Sequence, residues 1–123
     1  MNIQKTILVI EDEKSLRAAL VDILLLSNFR PLEAKNGREG VVMALEAHPD
    51  LILLDLIMPE MDGRVTLEKI RADVWGANVP VLILTNLSAT NGQPMDNAMT
   101  HYLIKSDWKL HDIVQKIEDV LDA

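Results

Sequence analysis

The sequence predicts an α/β fold with a parallel sheet that has helices on both faces. Four short apolar runs, rich in leucine and β-branched residues and without polar alternation, are typical of strands buried on both faces of a parallel sheet. Helical patterns separate these runs, and alternating strands and helices imply right-handed crossovers onto both faces. The runs are Ile7–Ile10, Leu51–Leu54, Val81–Leu84 and Tyr102–Ile104.

With one weaker strand added, the strands and helical patterns form a strand–helix unit that is repeated five times. Arg30–Ala34 predicts the extra strand, and Pro31 places it at a sheet edge because proline cannot donate a ladder hydrogen bond. Segment 87–100 is the poorest fit, since Gly92 and Pro94 leave room for only about two helical turns. We therefore expect the fourth helix to be short or mobile.

Several helix ends carry capping residues. Asn28 is expected to adopt the left-handed conformation after the first helix. Asn36 is expected to cap the second helix, with Glu39 as its partner at the third helical position. Within that helix, Gly40 costs about 1 kcal/mol relative to alanine. Asp62 is placed to cap the third helix.

The composition indicates one globular domain, residues 1–123, rather than a membrane or disordered chain. Of 123 residues, 49% are apolar and 25% are charged, and no run approaches the roughly 18 apolar residues of a membrane span. The N-terminus has no signal-peptide pattern, and the lack of cysteine excludes disulfides and thiolate metal sites. A cytoplasmic protein is therefore expected. The net charge of −7 argues against direct nucleic-acid binding, which depends on cationic side chains.

Polar residues able to do chemistry follow four of the predicted strands. In an open α/β sheet the ligand crevice lies outside the carboxyl ends of the strands, so these side chains are expected to converge. Each alone is more often a helix cap or a loop residue, but their coincidence at four strand ends predicts one site. They are Glu11, Asp12, Asp55, Thr85 and Lys105.

The residue types at these strand ends indicate phosphoryl chemistry that depends on magnesium. Three carboxylates in one crevice either raise each other's pKa or recruit a cation, and oxygen ligands suit Mg²⁺. Aspartate can also act as a nucleophile and form an acyl phosphate. In that chemistry, Lys105 and Thr85 would help to neutralise the phosphoryl oxygens.

The same residues, with their neighbours, resemble the receiver domain of bacterial two-component response regulators over essentially the whole chain. The resemblance implies a flavodoxin-like, doubly wound sheet of order 2-1-3-4-5 flanked by five helices. That order agrees with an edge position for the strand that contains Pro31. The resemblance rests on Glu11-Asp12, Asp55, Met58-Pro59, Asp62-Gly63, Thr85 and Tyr102-Leu103-Ile104-Lys105.

For the site, the resemblance implies a phosphorylation-controlled switch. Asp55 would accept a phosphoryl group from a histidine kinase or a histidine phosphotransfer protein. Lys105 would pair with a phosphate oxygen. Thr85 and Tyr102 would move, and so shift the face made by the fourth helix, fifth strand and fifth helix for docking. The implied ligands of Mg²⁺ are Glu11, Asp12, Asp55 and the backbone carbonyl of Ile57.

The resemblance also implies partners rather than a separate substrate. Such a domain catalyses only its own phosphorylation and dephosphorylation, and so is not an enzyme in the ordinary sense. Its output would pass to a downstream protein target or to an output domain outside this chain. The expected oligomeric state is a monomer or a phosphorylation-dependent dimer.

Two other functions and one local departure from the family stay open. A pseudo-receiver would have the fold and bind partners without phosphorylation. A phosphatase of the haloacid-dehalogenase type would carry a second aspartate two residues after the first, where this chain has Ile57. Ser106 follows Lys105 where the family usually has a proline after a cis peptide bond. A trans bond is expected here because a cis bond before serine costs about 3 kcal/mol.

Overall fold

The computed structural model is a five-stranded, all-parallel sheet of order β2-β1-β3-β4-β5. The structure describes residues 4–55, 63–85, 99–104 and 109–122. This order confirms the predicted fold and places the Pro31 strand at an edge. The strands are β1 (Thr6–Ile10), β2 (Arg30–Ala34), β3 (Leu51–Asp55), β4 (Val81–Thr85) and β5 (Thr100–Ile104).

Four helices lie in the described part of the chain. The helix predicted between β4 and β5, and the cap predicted at Asp62, fall outside the described residues. None of the helices in the described ranges is long and apolar enough to cross a membrane. The helices are α1 (Lys14–Leu26), α2 (Gly37–Ala47), α3 (Gly63–Arg71) and α4 (Leu110–Asp122). The last of these, α4, follows β5 and is the fifth helix of the sequence prediction.

The core consists of two apolar layers, one on each face of the sheet. Because side chains alternate along a strand, Leu8 and Ile10 of β1 join one layer while Ile7 and Val9 join the other. The first layer also includes residues of α2 and α3, and the second includes residues of α1 and α4. All five residues of β3 are buried, which is the reason for the continuous apolar run that precedes Asp55.

The ends of α1 and α2 follow the capping chemistry of their residues. Asn28 has φ 68°, the left-handed conformation that its sequence predicts after α1. The Asn36 side chain accepts a hydrogen bond of 2.8 Å from the Glu39 amide, so the predicted cap of α2 is confirmed. Glu13, rather than Asp12, caps α1 by accepting from the amides of the first turn. This arrangement leaves the Asp12 carboxylate available for other contacts.

Gly40 lies where helix α2 passes over the sheet. A Cβ atom at this position would be 2.5 Å from Cδ1 of Ile10, a side chain that is buried in the core. The close approach of helix and strand explains the glycine, although its helix propensity is poor.

Candidate functional site

The carboxyl ends of β1 and β3 bring three acidic residues together. One oxygen from each of Glu11, Asp12 and Asp55 lies within 4.8 Å of the other two. The two strands are neighbours, with Ile10 opposite Leu54, so the residues that end them are adjacent. Glu11 is 1% exposed and Asp55 is 5% exposed, while Asp12 is half-buried. The structure therefore assembles the acidic cluster that the strand ends predict.

The donor set of this cluster fits a hard divalent cation. One oxygen of Glu11, Oε2, accepts a hydrogen bond of 3.0 Å from the Glu13 amide. The other, Oε1, is buried and has no hydrogen-bond partner among the residues that the structure describes. A buried polar atom left without a partner costs about 1–3 kcal/mol, and either a metal ion or a proton shared with Asp12 or Asp55 would remove that cost. Carboxylate oxygens around one point are the ligands that Mg²⁺ prefers.

The electrostatics of the cluster show most clearly at Glu11. The pKa of Glu11 is raised from 4.5 to about 8, chiefly because burial deprives the charged form of its hydration. The carboxyl groups of Asp55 and Asp12 contribute to this rise, whereas the hydrogen bond from the Glu13 amide opposes it. In the metal-free protein, Glu11 is therefore largely protonated at neutral pH.

This raised pKa predicts how the stability of the metal-free protein depends on pH. Between pH 4.5 and about 8, folded Glu11 holds a proton that the unfolded chain has released. The free energy of unfolding therefore falls as the pH rises through this window, by at most about 1.4 kcal/mol per pH unit, and levels off above it.

We expect Glu11→Gln to remove this fall, since glutamine has the same shape but does not titrate. Urea denaturation in EDTA at several pH values measures the difference between the variant and the unmodified protein. Parallel pH profiles for the two proteins would contradict the assignment.

The remaining predicted site residues are only partly covered by the described structure. Thr85 is the last residue of β4, and its backbone lies opposite Ile104 of β5. Tyr102 lies in β5, half-buried against the core layer that contains Ile83. Lys105 and Ile57 lie outside the described residues, as does Ser106 with its expected trans bond. Their roles therefore stay predictions.

One part of the site was not found by sequence reasoning. Arg17 of α1 donates a hydrogen bond of 2.9 Å from Nη1 to the backbone carbonyl of Glu11. Its Nε also pairs with Oε1 of Glu33, on edge strand β2, at 3.3 Å. The sequence pattern that could have indicated this contact was weak: an arginine five residues after Asp12, and a glutamate one residue before the end of β2.

The chain belongs to the response regulator receiver domain family, whose family model matches residues 7–118. Receiver domains act in two-component signalling, where they interact with histidine kinases and output domains. This membership agrees with the sheet order and with the acidic cluster at its carboxyl edge.

Three relatives that are similar in sequence are longer proteins, and each matches this chain over part of its length. The chain is 33% identical over 101 residues to the DNA-binding dual master transcriptional regulator RpaA of Synechocystis, covering 80% of this chain and 42% of RpaA. It is 32% identical over 114 residues to the nitrate/nitrite response regulator NarL of Escherichia coli, covering 91% of this chain and 52% of NarL. A protein-glutamate methylesterase/protein-glutamine glutaminase of Archaeoglobus fulgidus is 32% identical over 120 residues, covering 94% of this chain and 34% of the relative. The chain thus spans about half or less of the length of these relatives.

Solved structures with the same fold include two receiver proteins described with magnesium. The receiver domain of the sensor histidine kinase PA1611 from Pseudomonas aeruginosa, with a magnesium ion in its active-site cleft, has a TM-score of 0.88 and 24% identity. That match covers 98% of this chain and all of that domain. The response regulator TrrA from Thermotoga maritima, in complex with Mg²⁺-BeF, has a TM-score of 0.82 and 24% identity, covering 95% and 99% of the two chains. At these identities, the likeness shows the fold.

Proposed function

We propose that this chain is a phosphorylation-controlled switch in which Asp55 accepts a phosphoryl group. The observation that carries the proposal is the position of Asp55, at the carboxyl end of a central strand and within 4.8 Å of oxygens from Glu11 and Asp12. Asp55 is 5% exposed, so its carboxylate is largely removed from bulk water. A partly desolvated carboxylate at the end of a central strand suits nucleophilic attack.

In the proposed reaction, one oxygen of Asp55 attacks the phosphorus atom of a phosphohistidine on the donor protein. An O–P bond forms while the N–P bond breaks, and the departing imidazole takes up a proton. Bound Mg²⁺ would offset the negative charge that gathers on the phosphoryl oxygens. Glu11, Asp12, Asp55 and the Ile57 backbone carbonyl would hold the ion. The buried, unpartnered Oε1 of Glu11 supports that assignment.

The readout of the switch is also proposed from the positions of residues in the fold. Thr85 ends β4, which is parallel to β3 and lies next to it, so Thr85 and Asp55 lie at the same carboxyl end of the sheet. Tyr102 lies on the strand beyond, half-buried. We propose that Thr85 and Lys105 contact the phosphoryl group, and that Tyr102 moves with Thr85. The result would be a shift in the docking face made by the predicted helix between β4 and β5, by β5 and by α4, which is the fifth helix of the sequence prediction.

We also propose that residues 1–123 form a single receiver domain. Every strand and helix in the described ranges contributes to the two core layers that enclose one sheet. A histidine kinase or a histidine phosphotransfer protein is the proposed phosphoryl donor, with a downstream protein or an output domain as the recipient of the signal. The cytoplasmic location, the lack of nucleic-acid binding and the monomer or phosphorylation-dependent dimer stay predictions.

Beryllofluoride tests this function, because it binds to an aspartate oxygen and takes the tetrahedral shape of a phosphoryl group. We expect binding that saturates at one group per chain and requires Mg²⁺. A folded protein that binds no beryllofluoride would instead be a pseudo-receiver. Steady turnover of a generic phosphate ester would indicate a hydrolase, which we do not expect because Ile57 stands where such an enzyme needs its acid.

A further inference from the structure

One arginine joins the loop that carries Glu11 and Asp12 to the edge strand β2. Arg17 lies at the end of the first turn of α1, and its side chain is 15% exposed. Its Nη1 donates to the backbone carbonyl of Glu11 at 2.9 Å and, more weakly, to that of Asp12 at 3.5 Å. Its Nε donates to Oε1 of Glu33 at 3.3 Å. A single planar guanidinium thus spans from the end of β1 to β2.

The direction of these hydrogen bonds determines what the arginine can do. Its donors reach the backbone carbonyls of Glu11 and Asp12 rather than their carboxylates. The arginine therefore fixes the backbone that carries the acids, while their carboxylate oxygens remain directed to the cluster. Its own charge is balanced by Glu33, a residue outside that cluster.

We propose that Arg17, held in place by Glu33, is a positioning residue that orients Glu11 and Asp12 for Mg²⁺. This inference rests on the proposed function of the site. A loop that is ordered before the ion arrives loses less entropy on binding, and ligands supported by a second set of hydrogen bonds bind metal more tightly. Lysine cannot replace arginine here, because an ammonium group lacks the planar fork that reaches a carbonyl and a carboxylate in two directions.

The first test uses metal-free protein in EDTA and measures amide hydrogen exchange by NMR. The Glu13 amide is the reporter, since it donates to Oε2 of Glu11 and so senses the orientation of that side chain. We expect faster exchange at Glu13 in Arg17→Lys and in Glu33→Gln. Arg38→Lys is the matched control, because Arg38 is exposed at the start of α2. Its exchange at Glu13 should equal that of the unmodified protein.

The second test measures Mg²⁺ affinity by isothermal titration calorimetry on the same proteins. We expect the Mg²⁺ Kd to rise about tenfold in Arg17→Lys, less in Glu33→Gln and not at all in Arg38→Lys. Thermal melting in EDTA separates this effect from a general loss of stability. If Arg17→Lys does not fold, Glu33→Gln decides, since it retains the arginine.

The outcomes of these tests distinguish the positioning role of Arg17 from the proposed function of the site. An unchanged Mg²⁺ Kd in both variants overturns the positioning role, even if both melt at lower temperature. Unchanged exchange at Glu13 overturns it as well. If the unmodified protein binds no Mg²⁺, the proposed function of the site fails. In that case the exchange of the metal-free protein still shows whether Arg17 and Glu33 hold the loop.

Discussion

Asp55→Asn is expected to abolish phosphorylation of this chain by acetyl phosphate in the presence of Mg²⁺. Asparagine has nearly the shape of aspartate, but its amide is not nucleophilic and carries no charge for the ion. Intact mass spectrometry should find one added phosphoryl group on the unmodified protein and none on the variant. Equal incorporation in both proteins would show that the acceptor is another residue.

The same substitution is expected to stabilise the metal-free fold. Two carboxylates less than 5 Å apart repel by about 3 kcal/mol at an effective dielectric of 20, and Asp12 is half-buried, so solvent reduces that value. We expect the unfolding free energy in EDTA to rise by about 1 kcal/mol. Asp50→Asn is the matched control, because Asp50 directly precedes β3 whereas Asp55 ends it. Asp50 accepts from the Thr6 amide at 2.7 Å, and Asp50→Asn should leave phosphorylation intact.

Gly76→Ala is expected to destabilise the fold strongly. A Cβ atom at Gly76 would lie 1.9 Å from the backbone carbonyl oxygen of Ile70, so the chain itself would have to move. The Gly76 carbonyl also accepts a 2.9 Å hydrogen bond from Arg71, which donates to Thr100 of β5 as well. Overpacking against backbone, together with disturbance of this network, should lower the unfolding free energy by about 3 kcal/mol.

Gly40→Ala is the comparison that tests the reason given for Gly76. Its Cβ would also be too close to other atoms, but those atoms are Cδ1 and Cγ1 of the Ile10 side chain, at 2.5 and 2.8 Å, rather than backbone. Alanine also returns up to about 1 kcal/mol of helix propensity. Urea denaturation should therefore show a smaller loss for Gly40→Ala than for Gly76→Ala. Equal losses, or no loss at Gly76, would contradict this account of the α3–β4 connection.

The three central strands, β1, β3 and β4, were predictable from local patterns because they are buried on both faces. Continuous apolar runs require two covered faces, and Pro31 can only be accepted at an edge. The caps at Asn28 and Asn36 were predictable for a similar reason, since the hydrogen bonds of a capping side chain are made within a few residues. The rule that ligands lie at the carboxyl ends of parallel strands was enough to bring Glu11 and Asp55 together.

What could not be predicted depends on distances between segments that are remote in sequence. Arg17 and Glu33 meet because α1 packs beside β2, and no spacing in the sequence encodes that contact. Propensity alone makes Gly40 a defect, whereas in the fold it allows α2 to pass over Ile10. The clustering of carboxylates predicts a raised pKa, but the size of the rise at Glu11, to about 8, depends chiefly on burial, which residue types do not reveal.

The most direct test of the phosphoacceptor role is a beryllofluoride titration followed by NMR, with and without Mg²⁺. A phosphoacceptor role for Asp55 predicts saturable binding of one group per chain in Mg²⁺, with shifts centred on Asp55 and its neighbours Glu11 and Asp12. It predicts no binding in EDTA, none for Asp55→Asn and unchanged binding for Asp50→Asn. Equal binding to Asp55→Asn, or none to the folded, unmodified protein in Mg²⁺, would contradict it.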